Sequence, residues 1–166
     1  MKAKLIKGEL MDSSALGGIN KDFGSWVSFN SQNVREIPQV IGVYVLRQAD
    51  GKLVGRLRGE SDILYIGSTT SQGGLRQRLM QYFHPGPTQW TNQRISSFLE
   101  KYTMDVAWCP SSEPINLEHD LLRKYLADHD ELPPFNHADT RRLHKGLGES
   151  GTICDGLTVI RTPGKE

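Results

Sequence analysis

Among the residues that could do chemistry, two tyrosine–glycine pairs come first. The stretch "IGVYVLR" at 41–47 places Gly42 two residues before Tyr44, and "ILYIGST" at 63–69 places Gly67 two residues after Tyr65. Both stretches are short, apolar and β-branched, which predicts strands. Residues i and i+2 share a strand face, so each phenol borders backbone that carries no side chain. The spacing predicts a hollow beside each phenol where no side chain intrudes. The plainer alternative is a common strand tyrosine beside a bulge glycine.

A third candidate is an acid in an apolar setting. "SSEPINLEHDLLRKYLADH" predicts a helix with Ser112 as cap and Pro114 in its first turn. At about 100° per residue, Leu117, Leu121, Leu122, Tyr125 and Leu126 form one stripe, and Glu118 falls in its middle. A charged group there must be paired, neutralised or bound to a cation, because bare burial costs several kcal/mol. Either the helix N-terminus and water satisfy it, or it is a metal ligand or catalytic acid. A single carboxylate suits Mg²⁺ (or Mn²⁺), which keeps several waters and takes other ligands from a phosphate.

Cations are placed to meet phosphate. "LRQRLMQYF", "TNQRISSF" and "TRRLHKG" put Arg76, Arg78, Arg94, Arg141, Arg142 and Lys145 in acid-poor stretches. An arginine fork can donate two hydrogen bonds to one phosphate, although solvated helix faces have the same composition. On the helix predicted from Leu75 to Phe83, Leu75, Leu79 and Phe83 form the apolar stripe. Arg78 and Tyr82 make an i, i+4 pair at its edge, and Arg76 projects nearer its centre. The wheel alone does not choose between the two arginines.

These residues need elements to hold them. Residues 1–36 read as an irregular leader with one strand around "WVSFN". Pro38 introduces a strand at 40–46, with Ile41, Val43 and Val45 on its apolar face. A long connection containing the turn signal "ADGK" leads to an antiparallel partner at 63–68. After the glycine-rich "SQGG" come the helix at 75–83, stopped by "HPGP", and a second helix from Thr91 or Asn92 to Lys101, with Asn92 as cap. "DVAWC" alternates as a third strand, followed by the helix that carries Glu118.

Composition sets outer bounds. The 166 residues suffice for one domain with a real core. Hydrophobic content of 37% and charged content of 23% are ordinary for a globular protein. A net charge of +1 and a pI near 7.8 do not announce a nucleic-acid binder in bulk. The sequence shows no signal peptide and no apolar run fit to span a bilayer, which points to a cytoplasmic (intracellular) protein without membrane contact. Cys109 and Cys154 lack the CxxC spacing of a zinc site or disulfide framework.

Taken together, "GVY", "YIG", "LRQRLMQYF", "LEHDLLRKYL" and "PPFN" resemble the GIY-YIG nuclease family over residues 38–137. The resemblance implies an α+β fold with a small central three-stranded antiparallel sheet flanked by helices. It implies residues 1–37 as an N-terminal extension packed on that core and 138–166 as a C-terminal tail. It also implies a metal-dependent DNA endonuclease, structure-specific or repair-related. A sequence-specific restriction-type enzyme and a non-cleaving nucleic-acid-binding module are the alternatives, and a homodimer or larger nuclease assembly is left open.

Residue by residue, Tyr44 and Tyr65 match the tyrosines of the two motifs, and Arg78, three after Leu75, matches the family arginine. Tyr82 stands where relatives carry histidine or tyrosine, Glu118 matches the metal-binding glutamate, and Asn136 matches the asparagine that closes the domain. The family pattern favours Tyr44 as general base, with Tyr65 positioning water or phosphate. Gly42, Gly67, Arg76 and Arg94 complete the expected substrate contacts. Two departures stand out: Ser68 replaces a lysine found in some relatives, and "STTSQGG" is longer than the usual link into the helix.

Overall fold

The computed structural model describes residues 23–49 and 52–137. Its first half comprises β1 (Val27–Ser28), α1 (Ser31–Val34), β2 (Gly42–Gln48), β3 (Val54–Gly55), β4 (Glu60–Ser61) and β5 (Ile63–Thr69). Its second half comprises α2 (Gly74–Met80), α3 (Trp90–Leu99), β6 (Met104–Pro110) and α4 (Pro114–His129). The architecture is α+β. The main sheet is antiparallel and has four strands, in the order β1-β6-β2-β5, and β3 and β4 form a separate ribbon.

Two expectations are corrected here. The sheet gains a fourth strand from the segment read as an irregular leader, since Val27 and Ser28 pair with Val106 and Asp105. The strand expected around residues 26–30 is present, as an edge strand that the three-stranded expectation did not count. The long connection between β2 and β5 also folds on itself as the β3–β4 ribbon, closed by a turn in which Arg56 N–H donates to the Gly59 carbonyl at 2.9 Å.

β2 is the central strand of the trio β6-β2-β5, and both its faces are covered. Tyr44 and Leu46 enter one core with Val106, Leu75, Leu79 and Ile95. Val43 and Val45 enter a second core with Ile66 and with Leu121, Leu122 and Tyr125 of α4. A sequence reading that gave β2 one apolar face missed the other because a tyrosine and a glycine occupy it.

β5 carries an irregularity that matters for the site. Leu46 pairs with Tyr65 but Arg47 pairs with Ile63, leaving Leu64 as an extra residue. Such a bulge breaks strict alternation. Leu64 and Tyr65 therefore both join the α2 side, while Ile63 and Ile66 both join the α4 side.

Helix starts also differ from expectation. The cap of α3 is Gln89, and Asn92 is buried, donating its amide to the Gln89 side chain at 3.1 Å. Glu113, not Ser112, occupies the cap of α4, with Pro114 opening the helix. A proline at the first helical position lacks only an N–H that would have no partner there, so this start needs no side-chain cap. No helix among the described residues is long and apolar enough to cross a membrane.

Candidate functional site

Three tyrosines meet on the α2 side of the sheet. The rings of Tyr44, Tyr65 and Tyr82 form a near-equilateral triangle, with centroids 6.0, 6.2 and 6.2 Å apart. Tyr44 and Tyr82 are fully buried and share a hydroxyl–hydroxyl hydrogen bond of 2.6 Å. Tyr65 is half-buried. Tyr82 was expected at the edge of its helix and lies instead in the core. The reason is local: α2 ends at Met80, and Tyr82 N–H and Phe83 N–H bond three residues back, to Leu79 and Met80. That tighter winding swings Tyr82 inward.

The electrostatics of the triangle bear on the role expected of Tyr44. Burial pushes the Tyr44 phenol well above its ordinary pKa, and Tyr65 adds to the rise. The Arg78 cation and hydrogen bonds from Tyr82 and Arg78 pull the other way without cancelling it. Burial, then Tyr44 and Tyr65, raise Tyr82 as well. Burial thus works against the general-base role expected of Tyr44, which needs its pKa lowered toward neutrality.

Arg78 and Arg76 separate cleanly. Arg78 lies over the Tyr82 ring, 5.1 Å from its centroid, and donates to the Gln81 side-chain oxygen at 2.9 Å. Burial disfavours its charge, but the oxygens of Tyr44, Tyr82 and Tyr65 more than offset this and hold its pKa above the ordinary guanidinium value. It stays a cation among phenols. Arg76 points elsewhere: its Nε donates to the Ile37 carbonyl at 2.7 Å, fastening α2 to the chain before β2. Its expected role at the substrate thus has a structural competitor.

The glycines have a different reason from the one the spacing suggested. A Cβ on Gly67 would stand 2.6 Å from Tyr65 Cε1 and 2.7 Å from Tyr44 Oη. Tyr44 pairs directly opposite Gly67, so its ring lies across the bare backbone. A Cβ on Gly42 would meet the Cys109 carbonyl oxygen at 2.4 Å and Leu75 at 3.1 Å. Both hollows are filled by protein, not left open for phosphate. Gly67 makes room for the tyrosine pair and Gly42 for the neighbouring strand and α2.

Glu118 lies across the sheet from this cluster. It is half-buried on α4, and Ser68 donates its hydroxyl to Glu118 Oε2. Ser68 alternates with Gly67 along β5 and faces α4 with Ile66, while Gly67 and Tyr65 face the other way. The acid and the phenols therefore flank β5 from opposite sides, joined by the adjacent residues Gly67 and Ser68. Ser68 gives the carboxylate a hydroxyl partner, and among the described residues it makes no ion pair. A half-buried, unpaired carboxylate beside a hydroxyl oxygen is a donor set that fits a hard divalent cation sharing its ligands with water and phosphate. Among the described residues no group of three or more His, Cys, Asp or Glu gathers to hold a metal, so any protein ligation there is sparse.

Asn136 closes the edge of β5. Its side chain accepts from Ile66 N–H at 2.9 Å and donates to the Ile66 carbonyl at 2.7 Å, while Phe135 N–H donates to Leu64 O at 3.0 Å. This segment continues the sheet past its edge strand and holds Tyr65 from both neighbours. Asn136 is thus a positioning residue, its amide oxygen and nitrogen each bonded to the β5 backbone. Arg94 is exposed on α3 and lies 5.4 Å from the centre of the Phe135 ring. Ser68 was noted in the sequence only for what it replaces; its parity relative to Gly67 was the signal that would have set it toward α4. Arg141, Arg142, Lys145 and Cys154, with the 138–166 tail and residues 1–22, lie outside the described residues.

No protein-family model matches the chain, and neither a curated protein nor a solved structure gives a significant match.

Proposed function

We propose that this chain is a metal-dependent DNA endonuclease of the GIY-YIG type, hydrolysing phosphodiester bonds at the end of β5. The observation that carries this reading is the convergence of Tyr44, Tyr65, Tyr82 and Arg78 from three separate elements onto one cluster beside Gly67. Packing alone has little use for a guanidinium among three phenols. A nuclease needs a cation there, because charge accumulates on the phosphoryl oxygens as the bond breaks.

The division of labour follows from exposure. Tyr65 is the phenol that water reaches, and its Oη orients the attacking water, whose oxygen forms the new bond to phosphorus. Arg78 donates to the non-bridging oxygens, and as the P–O bond breaks the ester oxygen leaves, taking up through solvent the proton that the attacking water releases. Tyr44 and Tyr82 hold Arg78 and the Tyr65 ring in place through their buried hydrogen bond. Glu118, oriented by Ser68, would hold Mg²⁺ or Mn²⁺. Bound there, the ion supplies Lewis-acid polarisation and charge neutralisation at phosphate.

A non-cleaving nucleic-acid-binding module is the second reading, favoured by the placement of Glu118 across the sheet from the phenols. Incubation of the protein with supercoiled plasmid and with branched DNA, in Mg²⁺ and in EDTA, separates the two. The nuclease reading expects cutting in Mg²⁺, none in EDTA, and none by Glu118→Gln. Intact DNA in Mg²⁺ and Mn²⁺ alike, with a folded protein, sinks it. Undiminished cutting in EDTA removes the metal role of Glu118.

A further inference from the structure

Along α3 lies a groove of about 460 Å³ whose lining combines aromatic and cationic side chains. Trp90 opens α3 with 76% of its surface exposed, and Tyr102, just beyond the helix, is 51% exposed. Between them Phe98 and Phe135 form the floor, with Tyr102 packed on Phe98 at 4.7 Å and Phe98 on Phe135 at 5.6 Å between centroids. Arg94 and Lys101 stand on the same wall, and no acidic side chain lines the groove. Glu100 lines the neighbouring hollows instead.

We propose that this groove binds a single-stranded DNA segment of the substrate, with bases stacked on Trp90 and Tyr102 and phosphates held by Arg94 and Lys101. Stacking on exposed aromatic faces beside cations is how single strands are held without regard to sequence. Duplex DNA buries its base faces and cannot use such a platform. A second copy of this chain fits poorly, because a two-fold contact here would bring two cationic patches together. The groove is also tied to the strand that carries the site: Phe135 in its floor donates its backbone N–H to the Leu64 carbonyl, next to Tyr65. A strand lying in it leads to the phenol cluster, so the substrate class is DNA with an unpaired arm. This rests on the nuclease reading for its purpose, but the binding it asserts is independent of cleavage.

The test is anisotropy of fluorescein-labelled oligo(dT) and of a blunt duplex of equal length, titrated with full-length protein in EDTA so that nothing is cut. The single strand is expected to bind more tightly and to quench tryptophan emission. Trp90→Ala should weaken oligo(dT) binding by about 10-fold or more. Trp90→Phe, which keeps a stacking face, should recover much of that loss. The Arg94→Ala/Lys101→Ala variant should lower the salt slope by about 1.4, roughly 0.7 for each phosphate contact. Equal binding of both probes, or Trp90→Ala binding like wild type, overturns the proposal. So does a fall in sedimenting mass in Trp90→Ala, which would make the groove a contact between copies. Cleavage without single-strand preference defeats the groove alone. Single-strand binding as described, with no cleavage of any DNA, defeats the nuclease reading alone.

Discussion

Replacing Tyr44 by phenylalanine removes one oxygen from the most buried hydrogen bond of the site. Tyr44 and Tyr82 are both fully inaccessible, and their hydroxyls lie 2.6 Å apart. In Tyr44→Phe the Tyr82 hydroxyl keeps its burial and loses that partner, which costs about 1–3 kcal/mol of desolvation without return. For a chain of this size that is a fall in Tm of about 3–10 °C. Tyr82→Phe leaves the Tyr44 hydroxyl its Arg78 partner, so it should cost less than Tyr44→Phe. The double variant strands neither, since two apolar groups of similar shape replace the pair, so it should be less destabilised than the sum of the singles. A coupling of about 1 kcal/mol or more is expected. The assay is urea unfolding of the four proteins, with cleavage measured beside it. Single variants within about 0.5 kcal/mol of wild type, or strictly additive losses, would refute the claim that this bond is buried and unsolvated. On activity, Tyr44→Phe should lose less than Tyr65→Phe, because Tyr44 positions and Tyr65 meets the water; the reverse order would return the base role to Tyr44.

Arg78→Ala should lower kcat by about 10²–10³-fold, as loss of a donor to developing charge does, whereas Arg76→Ala should chiefly lower stability by about 1–2 kcal/mol through its bond to Ile37; single-turnover kinetics and melts on both variants check this, and equal losses of kcat would refute it. Gly67→Ala should destabilise by about 1–3 kcal/mol through overpacking against Tyr44 and Tyr65, seen as a lowered urea midpoint; wild-type stability would show that the hollow is open after all. Stability should also fall with rising pH above about 10. There the unfolded phenols ionise while Tyr44 and Tyr82, raised by burial, still hold their protons, so the slope is negative, at about 1.4 kcal/mol per pH unit for each. Urea midpoints between pH 9 and 11 (roughly the range of free phenols) should show this decline, weaker in Tyr44→Phe, and a flat profile would contradict it.

The sequence by itself determined β2, β5, β6 and α4, because alternation and helical periodicity are local properties of the chain. It marked the two tyrosines, Arg78 and Glu118, whose types and settings are unusual enough to notice one at a time. It could not show that Tyr44 is sealed from water, since β2 becomes a central strand only once β6 pairs beside it and α2 packs across its second face. Nor could the helical wheel choose between Arg76 and Arg78; the Ile37 carbonyl and the phenol cluster make that choice, and both come from elsewhere in the chain. Pairing of Gly67 opposite Tyr44 and of Tyr65 opposite Leu46 sets Tyr65 on the side of Tyr44, the extra residue Leu64 joins it there, and alternation sends Ser68 to Glu118 on the other. Side-chain parity along a strand is written in the sequence only until a bulge shifts it, and the bulge is decided by pairing with a partner strand. The tertiary structure alone, then, decided which side of β5 each candidate faces, and with it which phenol can touch water.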